Sequence, residues 1–255
     1  MKGFLEEYGT IIVVVAVILL MLLFGKTGYA KSIQNAILGS ANHIVETGES
    51  VTKGSDVKTG DVIDIESAKY VVLEKQENNQ ALVMTTSSIG NKEFNSMTPR
   101  TDGQGLETYE GSEIDNYLEN KWYNGLSSTM KAAIQSTNIK QDSYEYDYTD
   151  RQYIKQETAY NGQVYNTISR HVFLPSVSEI GKVLDLKSPD KVKAFLNGID
   201  ISTRDDDGQA AVIFLYASSG KLNGHGVNNY IGTRPAFTVD LSKVDYKVTG
   251  HTDYK

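Results

Sequence analysis

Hydrophobic and polar positions divide the chain into three stretches of different period. From Ile11 to Phe24 it reads IIVVVAVILLMLLF, about 14 apolar residues without a break. Tyr8, Gly9 and Thr10 lengthen the run to about 17, the lower end for a helix that crosses a bilayer. No polar face interrupts it, as one would in a helix lying on a soluble core. From Tyr29 to Val45 the apolar residues fall at Ile33, Ile37, Leu38, Ala41, Ile44 and Val45. That is helical spacing with one stripe, and Lys31, Ser32, Gln34, Asn35 and Ser40 take the other faces. One long helix is therefore predicted over residues 1–46, wholly apolar first and amphipathic afterwards, with Gly48 as its stop. Its first half predicts a single-pass anchor in the lipid bilayer, with Ile11, Val14, Leu19, Leu22 and Phe24 in the hydrocarbon. Its second half, residues 29–45, predicts a surface that meets the membrane, the head or copies of itself.

Residues 47–59, polar and rich in Gly, Ser and Thr, predict a short linker. From residue 60 to 255 the period shortens. Val62–Ile65, Lys69–Leu73 and Ala81–Met84 predict strands, the last two joined by a turn at Glu77-Asn78-Asn79. A helix is predicted from Ile114 to Tyr123, capped by Ser112 and apolar at Ile114, Tyr117, Leu118 and Trp122. A second fits Ser128–Gln135, with Met130, Ala133 and Ile134 inward. A third starts at Pro175, where Ser176 and Glu179 stand in capping-box spacing before Ile180, Val183 and Leu184. Ala211–Ala217 and Arg234–Asp240 predict closing strands, separated by a turn at Ser218-Ser219-Gly220 and by the Gly/Asn-rich stretch Asn223–Asn229. Strands, then helices, then strands predict an α+β head.

Composition narrows the chemistry. The chain of 255 residues has no cysteine, which removes disulfides, thiolate metal sites and thiol nucleophiles together. Net charge is -7, and no run of Lys or Arg is present, which argues against nucleic acid as a partner. The four histidines (His43, His171, His225 and His251) lack metal-ligand spacing, and no nucleophile elbow, phosphate loop or paired-His helix occurs. Asp205-Asp206-Asp207-Gly208 has two readings. Asp205 and Asp207 are candidate Ca²⁺ ligands, because hard cations take carboxylates from a turning loop. The run also reads as a solvated acidic turn, since EF-hand spacing and its later Glu are missing.

Tyrosine outnumbers the other aromatics, 16 against 7 Phe and 1 Trp. It concentrates between Tyr144 and Tyr165. Tyr144, Tyr146, Tyr148 and Tyr153 read as one face of a strand or as a contact surface for a ligand, since Tyr supplies large area at low entropic cost. Arg204 joins them as a ligand-contact candidate, although Arg204 and Arg234 also read as buried framework pairs.

Two resemblances add expectations. Glu7-Tyr8-Gly9 followed by an aliphatic run resembles the start of Flp-type pilins of the type IV class. That resemblance implies leader processing after Gly3, with Phe4 as the new first residue and Glu7 as the filament carboxylate. Glu7 would then be fourth, where the family places its Glu fifth. Cleavage after Ala30 as a secretory signal is the alternative, against which Glu6 and Glu7 stand.

The second resemblance runs through Tyr70-Val71-Val72-Leu73, Ala81-Leu82-Val83-Met84, Tyr109-Glu110-Gly111-Ser112-Glu113-Ile114, Val172-Phe173-Leu174-Pro175-Ser176 and Gly232-Thr233-Arg234-Pro235-Ala236-Phe237. It is similar to an uncharacterised domain of surface proteins of Gram-positive gut bacteria, distantly like the C-type-lectin-like fold of the formylglycine-generating superfamily. Ile201-Ser202-Thr203-Arg204 stands where that domain has a Trp-containing strand. The cysteine chemistry of that superfamily is ruled out here. The resemblance implies a recognition or adhesion head outside the cytoplasm, and the missing catalytic sets make it non-catalytic; a structural spacer or capping subunit and an unrecognised enzyme are the alternatives, with no cofactor beyond the Ca²⁺ candidate.

Overall fold

The computed structural model describes residues 57–159, 162–208 and 210–255. β1 (Asp61–Ile65), β2 (Ala68–Lys75) and β3 (Gln80–Thr85) form an antiparallel meander. Its two turns carry positive φ at Glu66-Ser67 and Asn78-Asn79, the conformation that twists with the flanking strands. β4 (Asn91–Lys92) follows, then α1 (Glu113–Asn116), which continues as a π-helical stretch Tyr117–Trp122 and a 3₁₀ turn Tyr123–Gly125. α2 (Ser128–Ala133) runs directly into β5 (Ile134–Gln135). β6 (Thr137–Lys140), β7 (Ser143–Asp147), β8 (Gln152–Gln156) and β9 (Thr167–Arg170) come next. They are followed by the short α3 (Val177–Ile180) and by α4 (Pro189–Leu196). The chain closes with β10 (Ile201–Asp206), β11 (Ala211–Tyr216), β12 (Lys221–Gly226), β13 (Ile231–Gly232), β14 (Ala236–Asp240) and β15 (Lys247–His251).

Two sheets result. The first runs β15-β1-β2-β3-β14-β5, antiparallel throughout. Its central strands β3 and β14 are buried almost end to end, which is why they read as continuous apolar runs. The second runs β12-β11-β10-β13-β4, with the β7–β8 hairpin attached to the end of β10 through Asp206 and Ser143. β6 and β9 pair separately. The apolar positions expected inward are inward: Ile114, Leu118, Met130, Ala133, Ile134, Ile180, Val183 and Leu184 are all buried. Phe237 sits among Tyr70 (ring centroids 5.3 Å apart) and Trp122 (6.2 Å).

The motif Gly232-Thr233-Arg234-Pro235-Ala236 is where the chain passes from one sheet to the other. Gly232 pairs with Ile201 and Asn91 in the second sheet, and Ala236 pairs with Met84 in the first. Between them the Thr233 N–H donates to Gly90 O and Ser88 Oγ, and Pro235 O accepts from Thr85 N. Arg234 donates to Leu196 O and Phe195 O, the last carbonyls of α4, where a cation meets the negative end of the helix dipole. Among the described residues no side-chain carboxylate pairs with it, and burial holds its pKa down to about 10.

Several expectations are corrected. Strands account for 38% of the described residues and helices for 16%. The domain is β-dominated, and the expected α+β, C-type-lectin-like head does not hold. Three helices stand where they were expected, α4 was not expected, and all four are only four to eight residues long as regular α-helix, too short to form a layer. The helix expected from Ile114 to Tyr123 changes pitch at Tyr117, and Ile134 and Gln135 leave α2 to pair with β14. The Gly/Asn-rich stretch is in part β12. Val57, expected in the linker, is buried in the core, and Lys58 N donates to Asp61.

Among the described residues no helix is long and apolar enough to cross a membrane. That overturns the transmembrane, single-pass reading as far as those residues go. The anchor residues 11–24, the processing residues Gly3, Phe4 and Glu7, and the amphipathic stretch 29–45 lie outside them.

Gly232 has a structural reason to be glycine. A Cβ there would press into the Asp200 carbonyl oxygen and stand 2.8 Å from Ile199 Cγ2. Gly232→Ala is expected to cost about 1–3 kcal/mol, the usual range for overpacking, measured as a fall in urea midpoint. Gly125→Ala, where nothing lies within 4 Å, is the control. Equal midpoints for the two variants would contradict this account of the crossing.

Candidate functional site

The second sheet is organised by a strand that ought not to be buried. β10 reads ISTRDD, and all six residues are inside. A buried polar group is costly unless hydrogen-bonded, and a buried charge more so unless paired. Thr203, Arg204, Asp205 and Asp206 each hold another segment of the chain.

Thr203 Oγ1 donates to Ile213 O. Arg204, 4% exposed, makes a bidentate pair with Glu179 at 2.7 and 2.8 Å. It also donates to Lys140 O and Leu174 O, and its guanidinium lies 5.5 Å from the Phe173 ring centre. Glu179 at the same time closes the capping box of α3 by accepting from Ser176 N. The expected spacing from Ser176 to Glu179 thus serves two ends. Arg204 belongs to this framework, with its donors committed to the protein, which is the framework reading of the sequence.

The three aspartates that follow hold three further segments. Asp205 accepts from Val177 N at 2.6 Å and from Asp142 N at 3.0 Å. Asp206 accepts from the Tyr165 hydroxyl, and Asp207 from the Tyr153 hydroxyl, both at 2.9 Å. Asp205 and Asp206 are fully buried, so neither is a solvated turn residue. Burial pushes Asp205 up to about 7 and Asp207 up to about 6, and it raises Asp206 as well. The Ca²⁺ candidates Asp205 and Asp207 point to separate partners. Among the described residues no group of three or more His, Asp or Glu side chains is placed to hold a metal.

The tyrosines of the β7–β8 hairpin form a graded series. Tyr144, Tyr146 and Tyr148 alternate along the chain, so they follow one face of the ribbon. Tyr144 at the base is buried with Val177 and Ile213. Tyr146 is half-buried, opposite Tyr153 in register, with ring centroids 5.2 Å apart. Tyr148, in the turn, is 85% exposed and stands edge-on to Tyr146 at 5.0 Å. Asp147 caps the turn by accepting from Thr149 N and Asp150 N. Tyr144 thus packs as a strand residue, Tyr146 and Tyr153 are half-buried, and only Tyr148 of the four is exposed. Gly224 of β12 leaves room for the Tyr153–Asp207 bond, since a Cβ there would collide with the Asp207 carboxylate.

Sequence reasoning missed two pairs. His171 Nδ1 lies 2.7 Å from Glu119, whose other oxygen accepts from His171 N and Val172 N, and its ring stacks on Tyr123. His251 lies 2.7 Å from Asp61 across the β1–β15 ladder. The partners are 52 and 190 residues away, beyond any local pattern. His225 is half-buried against Phe214, and that burial lowers its pKa.

Residues 78–241 match the family described as a domain of unknown function (DUF6273), and the chain belongs to that family. No curated protein and no solved structure matches it.

Two outcomes follow from this geometry. Arg204→Met leaves the Glu179 charge unpaired and is expected to cost about 3–5 kcal/mol, as for other broken buried pairs. The double variant Arg204→Met/Glu179→Gln leaves no charge stranded, so part of the loss returns. A single-variant loss below about 1 kcal/mol in urea unfolding would give the pair only the weight of a surface bridge. The second outcome is pH-dependent. Asp207 has a folded pKa (about 6) above its ordinary value of 3.8, so its charge penalises the folded state above that range and not below it. His225, with its lowered pKa, has the opposite slope, so the comparison is made between variants. The stability of Asp207→Asn relative to wild type should rise from pH 4.5 to pH 8. A difference that stays constant between those values would contradict the assignment.

Proposed function

We propose that this domain is a non-catalytic recognition module whose contact surface is the tip of the β7–β8 hairpin. One observation carries the reading: Tyr146, Tyr148 and Tyr153 form a ring cluster at the tip of a hairpin pinned at its base. Rigid aromatic rings on an ordered ribbon give contact area at low entropic cost, which is the property of binding hot spots. Tyr153 is held by Asp207 and Tyr144 by the core, so the tip is ordered before it meets a partner, and less ordering is left for the moment of binding.

The motif order shared with surface proteins of Gram-positive gut bacteria supports the same reading by analogy. The pilin-like start lies outside the described residues and carries no part of the proposal.

The test uses the full-length chain against immobilised cell-wall polysaccharide, peptidoglycan and mucin. Tyr148→Ala, at a fully accessible position, should lower affinity at least tenfold on whichever surface binds, with an unchanged thermal midpoint. Undiminished binding by Tyr146→Ala/Tyr148→Ala, or no binding to any of the three by the wild-type chain, would end the proposal.

A further inference from the structure

The end of β10 sets two carboxylates side by side with no positive charge to offset them. Asp206 is buried and Asp207 half-buried. Glu107, also buried, faces Asp206 as a third acid. Among the described residues neither aspartate pairs with a lysine or an arginine. Arg204 is engaged with Glu179, and Lys155 with Asp142. What the two aspartates receive is hydroxyls. Tyr165 donates to Asp206 and Tyr153 to Asp207, both at 2.9 Å, and Ser143 faces Asp206 as well.

The surroundings of Asp207 come from four strands. β8 gives the Tyr153 hydroxyl and β10 gives Asp206. β11 gives the Ala211 carbonyl, which accepts from the Asp207 N–H. β12 gives Gly224, where the missing Cβ leaves the carboxylate its room. His225, the next residue of β12, is turned against Phe214.

A carboxylate so placed is worse off ionised than protonated, for two reasons. The hairpin keeps water from it, and the neighbouring Asp206 carries the same sign. Tyr153 supports both forms, because a phenol O–H donates to a neutral carboxyl as well as to a carboxylate. The first reason disappears when the hairpin lifts and water returns. The hairpin is built for such a movement. It meets β10 at one bridge, Asp206 with Ser143. Its other attachments are made by side chains: Tyr153 to Asp207, Tyr144 in its apolar cluster and Lys155 to Asp142.

We propose that Asp207 is a proton-operated latch on the β7–β8 hairpin. Protonated, it holds the hairpin down through Tyr153; ionised beside Asp206, it favours the lifted form. Burial raises Asp207 from 3.8 to about 6 in the folded domain. The latch is therefore closed below 3.8, weakens as pH rises between those two values, and stays weakened above them. For the recognition reading, on which this consequence rests, the tyrosine tip is held most firmly in acid surroundings.

The experiment is hydrogen-exchange mass spectrometry on the ligand-free, full-length chain at pH 4.5 and pH 8. Rates are divided by those of an unstructured chain at the same pH. An isolated two-stranded ribbon is marginal in water, so a lifted hairpin loses its amide protection. Protection over residues 143–156 should fall by about tenfold or more from pH 4.5 to pH 8, while β2 and β3 change little. Asp207→Asn, which keeps the shape of the protonated acid, should remove that fall. The difference between variants also cancels the titration of His225, which runs the other way. Hairpin protection equal at the two pH values would overturn the latch. So would a fall of the same size in Asp207→Asn, or one shared equally by β2 and β3. No ligand enters this measurement, so its failure is distinct from a failure of Tyr148→Ala to weaken binding, which bears on the recognition reading alone.

Discussion

Burial of a polar strand is the constraint on which this domain depends. β10 places Arg204, Asp205 and Asp206 inside the second sheet, where an unpaired charge costs far more than a paired one returns. The structure meets that cost by giving each group a partner from a different part of the chain: α3 through Glu179 and Val177, the 140–142 turn through Lys140 and Asp142, and loop 162–168 through Tyr165. Asp207 at its end adds the hairpin through Tyr153. Remove one partner and a charge or a hydroxyl is left stranded. The polar residues of β10 therefore specify arrangement, while the apolar residues of the first sheet supply most of the burial.

The same constraint reaches the surface. Tyr153 is anchored to Asp207 and Tyr165 to Asp206, so the β7–β8 hairpin and the segment 162–166 are both tied to the end of β10.

How much was legible depends on the range of the determining interaction. The meander from Asp61 to Thr85 was read correctly because its strands are sequential and its turn at Asn78-Asn79 has the right chemistry. The caps at Ser112 and Ser176 were read for the same reason, since a cap spans three residues. Asp205–Asp207 was misread because a polar run looks solvated when its partners lie 28 to 63 residues away. β12 was read as a connection because Asn223 and Gly224 lack apolar alternation, and its pairing with β11 supplies the order. The tyrosine stretch was located from composition alone, but which ring is buried and which exposed follows from its register and its support.

From sequence alone came the short-range properties: where the meander strands, β11 and β14 lie, which residues cap α1 and α3, which apolar positions of the expected helices turn inward, and the absence of thiol chemistry. These depend on backbone sterics and on side chains a few positions apart. Tertiary structure alone decided that strands dominate, which groups hold Arg204, and that three aspartates are tethers and not a turn. Those outcomes require burial, and burial of a polar group is settled only when the distant group that satisfies it arrives.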